Sequence, residues 1–313
     1  MKNIRLIVIF LIGFIFVGCK TPPVQKVLPK LNQSVSFAAD EPTFRIYFPQ
    51  FYDEKGEVHG GDGIVMILPD DTVIIIDGFE AEAAPQYIEF IKSLNITKVD
   101  YLIATHYHSD HIGSLKDIIN TFEVRNVYTN GVTIRTNRAL DLDKLILEKN
   151  INHKILTQGD HIDFNADCYG DILWPNYTKE QRDDIVYNPG KGEKKINNSS
   201  LVTKLQYKDF SILFPGDIYH DAERYLVKEY GDKLKSTILK CSHHGEWFTA
   251  NDFDFVKTVN PDYGIQQDNC YLTARIASIY RRAANAPVLY RVTKGYILIE
   301  TNGKDYSISE YTY

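Results

Sequence analysis

Cysteine is scarce in this chain, with four in 313 residues at positions 19, 168, 241 and 270. A small fold stapled by a dense disulfide framework is therefore excluded. Behind Cys19 the odd number of three allows at most one bridge with one thiol left over, and spacing does not choose the pair. Cys241 reads as a small buried hydrophobe. Positive charge is also in deficit: the formal net charge is -6, and loss of Lys2 and Arg5 with the leader described below makes it more negative by two. A surface-wide attraction to nucleic acid is thereby disfavoured. Long apolar runs are missing except for Leu6 to Val17, which falls short of the roughly 20 apolar residues of a comfortable membrane span. No internal repeat is evident. What is present, 44% hydrophobic and 24% charged residues, is the composition of an ordinary globular protein with ample material for one large core.

Lys2 and Arg5 followed by the apolar stretch read as a secretory leader over residues 1–18. Phe16-Val17-Gly18-Cys19 resembles a bacterial lipobox, which implies lipidation at Cys19; an uncleaved anchor helix is the alternative. Residues 19–42, with Pro22, Pro23 and Pro29 and no apolar periodicity, read as a flexible tether. The expected location is the bacterial cell envelope, outside the cytoplasmic membrane, with the membrane as partner through the lipid and no protein partner inferred.

From Thr43 the pattern becomes strands: Phe44 to Phe51, Gly63 to Leu68, and Thr72 to Asp77 after a Pro69-Asp70-Asp71 turn. Glu80 to Asn95 reads as a helix with Tyr87, Phe90, Ile91 and Leu94 on one face. Val99 to Ala104 is a buried strand and Ile112 to Phe122 a helix. Between them lies Thr105-His106-Tyr107-His108-Ser109-Asp110-His111, three histidines and one carboxylate in a strand-to-helix turn. Open α/β sheets carry ligands outside the carboxyl ends of their strands. His106 and His108, on alternate positions of extended chain, face one side; Asp110 and His111, entering the helix, serve a second position. Imidazole with carboxylate suits zinc, and also manganese or iron.

This stretch matches residue for residue the H-x-H-x-D-H signature of the metallo-β-lactamase superfamily, and the chain resembles that superfamily. The resemblance implies an α/β fold, the four-layer αββα sandwich, over residues 43–313, and two divalent metal ions, zinc first. Further motifs are similar to those of the competence-type (ComEC-like) members: Gly61-Asp62-Gly63 after His59, the Trp174-Pro175 corner, Asn197-Asn198-Ser199-Ser200-Leu201-Val202, Pro215-Gly216-Asp217, and Leu239-Lys240-Cys241-Ser242-His243-His244-Gly245. By that resemblance the metal ligands are His106, His108, Asp110, His111, Asp217 as the bridging carboxylate, and His244. Asp77 supports the ligand loop without binding metal. Asp110 and His243 carry catalysis, His243 at the substrate or leaving group, with the opposite order of His243 and His244 as the alternative. Asn198, Ser199, Lys194 and Trp247 are expected at the substrate. The lactamases proper place a third histidine near residues 197–202; its absence leaves an open metal position and argues against β-lactam hydrolysis. The polar stretch after Tyr263 also lacks the histidine found in competence-type members, and Tyr271 is a candidate replacement. Residues 176–195 read as a long charged loop.

The function these features imply is a metal-dependent hydrolase whose two ions, about 3.5–4 Å apart, activate a shared water. The favoured substrate is a phosphodiester, either a small molecule or a surface polymer, over long nucleic acid. A hydrolase of acyl esters, thioesters or lactams is one alternative, and a non-catalytic metal-binding lipoprotein is another.

Overall fold

Runs such as Val73-Ile74-Ile75-Ile76 are β-branched and apolar without alternation, and such strands need cover on both faces. The computed structural model describes residue 37 and residues 41–165, 167–187, 192–268, 273–291 and 293–313, and in it this demand is met by stacking two sheets between helices. The leader, the tether up to residue 36, Cys19, Cys270 and Tyr271 lie outside the described residues.

The first half of the chain supplies β1 (Phe44–Gln50), β2 (Ile64–Ile67), β3 (Val73–Ile76), α1 (Ala84–Ser93), β4 (Lys98–Ala104), α2 (Ser109–Ile112), α3 (Leu115–Thr121), β5 (Glu123–Thr129), α4 (Asn137–Glu148) and β6 (Asn152–Ile155). The second half continues with β7 (His161–Asn165), β8 (Cys168–Trp174), α5 (Lys179–Tyr187), α6 (Gly192–Asn197), β9 (Val202–Tyr207), β10 (Phe210–Phe214), α7 (His220–Tyr230), β11 (Ile238–Lys240), α8 (Phe253–Val259), β12 (Tyr263–Ile265), α9 (Thr273–Ala284), β13 (Val288–Leu289), β14 (Gly295–Thr301) and β15 (Tyr306–Thr312). One sheet has the order β15-β14-β1-β2-β3-β4-β5-β6, the other β13-β12-β11-β10-β9-β8-β7. The final strands return to the first sheet, where β14 pairs antiparallel with β1 from Phe44↔Thr301 to Gln50↔Gly295.

Side-chain alternation sorts each strand between two cores. Val73 and Ile75 join the cluster under α1, α3 and α4, whereas Ile74 and Ile76 join the cluster between the sheets. A third cluster, with Leu226, Phe255, Val256 and Tyr280, packs the second sheet against α7, α8 and α9. The layers are therefore helix, sheet, sheet, helix, as the αββα expectation requires.

Two expectations need correction. Residues 176–195, read as a loop, contain α5 and begin α6; the sparse apolar residues Ile185 and Ile196 bury themselves with Val132, a contact hidden by the surrounding charge. The single helix over 112–122 is broken into α2 and α3. A Cβ on Gly113 would come within 2.3 Å of the Phe79 carbonyl, so the glycine lets the ligand turn press against the loop after β3. Cys168 and Cys241 are buried and both free, so no bridge joins them. No helix among the described residues is long and apolar enough to cross a membrane.

Candidate metal centre

The topology brings five chain segments to one end of the two stacked sheets. β3 and β4 of the first sheet and β10 and β11 of the second all end there, and β2, antiparallel to β3, begins there. Asp77 follows β3, His106 to His111 follow β4, Asp217 follows β10, His243 and His244 follow β11, and Asp62 precedes β2.

Asp217 is the hub. Its Oδ2 lies 3.1 Å from His111 Nε2, 3.2 Å from His244 Nε2, 3.8 Å from His243 Nε2 and 3.9 Å from His106 Nε2. Asp110 Oδ2 lies 3.2 Å from His244 Nε2 and 3.7 Å from His111 Nε2. His106 Nε2 is 3.0 Å from His108 Nδ1. The six side chains expected as ligands are thus gathered at one place, with His106 and His111 fully buried.

Tautomers are set from behind. Asp77 accepts from Thr105 N–H at 2.8 Å and from the Thr105 hydroxyl at 2.6 Å, and its Oδ2 also lies 2.8 Å from His111 Nδ1. With the proton on Nδ1, His111 turns the Nε2 lone pair inward. The Ser200 hydroxyl lies 3.2 Å from His106 Nδ1 and accepts from Asp217 N–H at 3.1 Å.

Two inward lone pairs, His111 Nε2 and His244 Nε2, then face one another at 3.3 Å beside two carboxylates, and the buried Asp217 Oδ1 has no hydrogen-bond partner. Such convergence of acceptors is stable only around positive charge. Without an ion, protons supply it: burial opposes charging of His111, but Asp217, Asp110 and Asp77 hold its pKa well above the ordinary value. For His244 burial is likewise overridden, chiefly by Asp217 and Asp62. Burial would raise Asp217, yet His111, His244 and His243 bring it well below the carboxylate range. His106, by contrast, is pushed well below its usual value by burial and by His111. One group of possible ligand atoms, from Asp62, His111, Asp217 and His244, lies within 4.8 Å throughout. The donor set fits divalent metal.

Comparison with known proteins bears on the fold. The family model of the metallo-beta-lactamase superfamily matches residues 61–156, which include the ligand turn. The metallo-beta-lactamase fold protein YhfI from Bacillus subtilis superposes over 83% of this chain and 100% of its own, with TM-score 0.54 at 9% identity. The chain has the metallo-β-lactamase fold. CmlA, a diiron β-hydroxylase from Streptomyces venezuelae, covers 78% of this chain and 52% of its own at TM-score 0.47 and 12% identity. In sequence, the chain is 22% identical over 178 residues to ComE operon protein 3 of Bacillus subtilis, 57% of this chain but 21% of that protein, so it spans about a fifth of that relative's length.

Within this metallo-β-lactamase fold the remaining candidates divide. Both His243 and His244 adopt left-handed backbone, φ 47° and 55°. His244 lies closer to Asp217 and is buried; His243 is partly open and its Nδ1 lies 2.7 Å from Glu246 Oε2. Ser199 is corrected as a substrate contact: it is fully buried, donates to the Ile196 carbonyl at 2.6 Å and accepts from Asn130 Nδ2 at 3.0 Å. Asn198 is partly buried; its Oδ1 accepts from Tyr219 N–H at 2.7 Å and its carbonyl accepts from Trp174 Nε1 at 2.6 Å. Both hold the loop that carries Asn197, the residue that does face the centre. Asn197 is 2% exposed, its Nδ2 is 3.1 Å from the Tyr219 hydroxyl and 3.4 Å from His243 Nε2, and its Oδ1 is unpartnered. Lys194 is exposed and ion-paired with Asp221, and Trp247 lies under the Arg275 guanidinium, 4.7 Å from the ring centroid. Asp62, Glu246 and Lys240 were not singled out by sequence; Asp62 and Lys240 stand inside quoted motifs, but nothing in their spacing reveals a contact across 178 residues.

Asp77→Asn gives a direct test of the tautomer argument. The new amide can still accept from Thr105 N–H but presents N–H to His111 Nδ1, which drives the ring proton to Nε2 and against the metal. Divalent-metal affinity should fall about 10–100-fold with the fold retained, as measured by chelator competition on circular-dichroism-matched protein; unchanged affinity would refute the assignment.

Proposed function

We propose that this protein is a metal-dependent hydrolase of phosphodiesters that works outside the cytoplasmic membrane, tethered through a lipid on Cys19. The observation that carries the hydrolase reading is the convergence of His106, His111 and His244 on the buried Asp217, with Asp110 beside His111 and His244, His108 beside His106, and one Asp217 oxygen unpartnered. His106, His108, Asp110, His111, Asp217 and His244 would hold two divalent ions, zinc being the first candidate. When bound, such ions supply Lewis acidity and lower the pKa of water toward neutrality.

The chain's own residues do the rest. Asp77 holds His111 in the binding tautomer, and Asp217 lies within reach of histidines from both halves of the site. Asp110, its side chain 34% exposed, can orient an attacking water. Glu246 engages His243 Nδ1, which leaves Nε2 turned toward Asp217 and Asn197, where it can deliver a proton to a departing alkoxide. Asn197 Nδ2, the Tyr219 hydroxyl and His243 Nε2 form a polar wall beside the centre. Such a wall suits the non-bridging oxygens of a phosphoryl group better than an acyl chain. The negative net charge favours a small or surface-bound ester over long nucleic acid, because each phosphate of a polymer needs a cationic partner.

The test is a panel on metal-reconstituted protein: bis-p-nitrophenyl phosphate, nitrocefin and an acyl thioester. Turnover of the phosphodiester alone, abolished by chelation, is the expected result. Preference for nitrocefin or the thioester would replace the substrate class, and metal-loaded protein inert to all three would overturn the hydrolase reading.

A further inference from the structure

Asp62 belongs to the group of ligand atoms that lie within 4.8 Å of one another, which by proximity alone would make it a metal ligand. Its bonds give it another task. Asp62 Oδ1 lies 2.8 Å from Lys240 Nζ and 3.2 Å from His244 Nδ1. The Lys240 side chain is 1% exposed, and its ammonium also donates to the Cys241 carbonyl at 3.1 Å. The Asp62 backbone is pinned as well: its N–H donates to the Asp110 carbonyl at 3.2 Å and its carbonyl accepts from Phe79 N–H at 2.8 Å. The preceding Gly61 N–H donates to Asp268 Oδ2 at 3.0 Å.

A fully buried lysine at the end of β11 has no place in the hydrolytic reading, and lysines are rarely buried unless paired. Here the pairing decides what the aspartate can do. The ammonium neutralises the carboxylate and occupies the same oxygen that meets His244, so that oxygen is taken up as a hydrogen-bond acceptor. The geometry points to Asp62, held by Lys240, as a positioning residue: it accepts the Nδ1 proton of His244 and turns Nε2 toward the centre, and it is not itself a metal ligand. The arrangement parallels that of Asp77 behind His111, so each of these two histidines is oriented by its own buried aspartate. Lys240 marks the difference between a carboxylate that orients and one, such as Asp217, that faces the ions with a free oxygen.

This inference rests on the reading of His244 as a ligand, and the test separates the two. Zinc stoichiometry and affinity are measured by chelator competition on apoprotein of the wild type, Asp62→Asn, the double variant Asp62→Asn/Lys240→Met, and His244→Ala. The double variant removes both buried charges together and guards against misfolding from a lone buried ammonium or carboxylate. Asp62→Asn and the double variant should keep wild-type zinc stoichiometry and lose about 10–100-fold in affinity, with the ¹⁵N shifts of His244 reporting loss of the Nδ1-protonated tautomer. A drop in stoichiometry matching that of His244→Ala would make Asp62 a direct ligand and overturn the inference. Unchanged affinity in the folded double variant would overturn it as well. Wild-type zinc binding by His244→Ala would instead remove the ligand reading on which it stands.

Discussion

Asp217→Ala should lower kcat/KM toward the proposed phosphodiester substrate by at least about 10³-fold, roughly 4 kcal/mol of lost transition-state stabilisation, and should lose bound metal at the same time. The expectation follows from position. Among the described residues Asp217 is the one carboxylate within 4 Å of His106, His111, His243 and His244 together, so it joins groups delivered by β4 and by β11. Its backbone is held independently, by the Ser200 hydroxyl on its N–H, so truncation removes the carboxylate without moving the strand end. The remaining histidines lose the charge that most strongly favours their inward-facing arrangement. Elemental analysis and steady-state kinetics on the same preparation check this. A variant with full metal content and full rate would refute both the bridging role and the mechanism.

The second large effect concerns a residue that touches no candidate ligand. Glu223 in α7 is fully buried, and its carboxylate accepts from the Ser242 hydroxyl, Asn251 N–H and Asp252 N–H, each at 2.8 Å. Asn251 in turn accepts from Ser242 N–H and donates to the Ser242 and Glu246 carbonyls. This network clamps the left-handed turn of His243 and His244. Glu223→Ala leaves two buried donors and one part-buried donor without an acceptor and should destabilise the protein by roughly 3–5 kcal/mol, since each buried group of this kind costs about 1–3 kcal/mol. The same residue predicts a pH dependence. Burial raises the Glu223 carboxyl from 4.5 to about 7, against the opposing pull of its hydrogen-bond donors. The folded state then binds the proton more tightly than the unfolded chain. Its contribution is fully present below the unfolded value and is lost as pH rises through about 7, a swing of roughly 3 kcal/mol. Urea unfolding of metal-free wild type and Glu223→Gln across that window isolates the contribution, because other titrating groups are common to both. A difference between the two proteins that stays flat with pH would show that the three donors cancel the effect of burial.

Much of the site was legible before any coordinates. His106, His108, Asp110 and His111 stand in one short turn, where local spacing already restricts which side chains can share a cation. Asp217 and the His243-His244 pair could be paired with that turn through motif resemblance and their places after apolar strands. Asn197, which faces the centre, was not singled out by sequence. Asn197, Asn198 and Ser199 are chemically alike to a sequence reading, and which of them faces the centre depends on how α6 ends and β9 begins. Helices α5 and α6 were hidden because their buried residues, Ile185 and Ile196, are isolated among charges, and their cover comes from Val132 far away in the chain.

The sequence by itself determined strands that need cover on both faces, because their β-branched runs are continuous, and the donors, because imidazoles crowded beside a carboxylate demand a cation; the four-layer order came through the family resemblance. Tertiary structure alone decided the division of labour among the acids. Asp62, Asp77, Asp110 and Asp217 are the same side chain, yet Asp62 meets a buried ammonium, Asp77 meets Thr105 and His111, and Asp217 keeps one oxygen without a partner. The physical reason is that a carboxylate's role is set by which donors reach it. Those donors arrive from strands that are distant in sequence and adjacent only once the two sheets have packed.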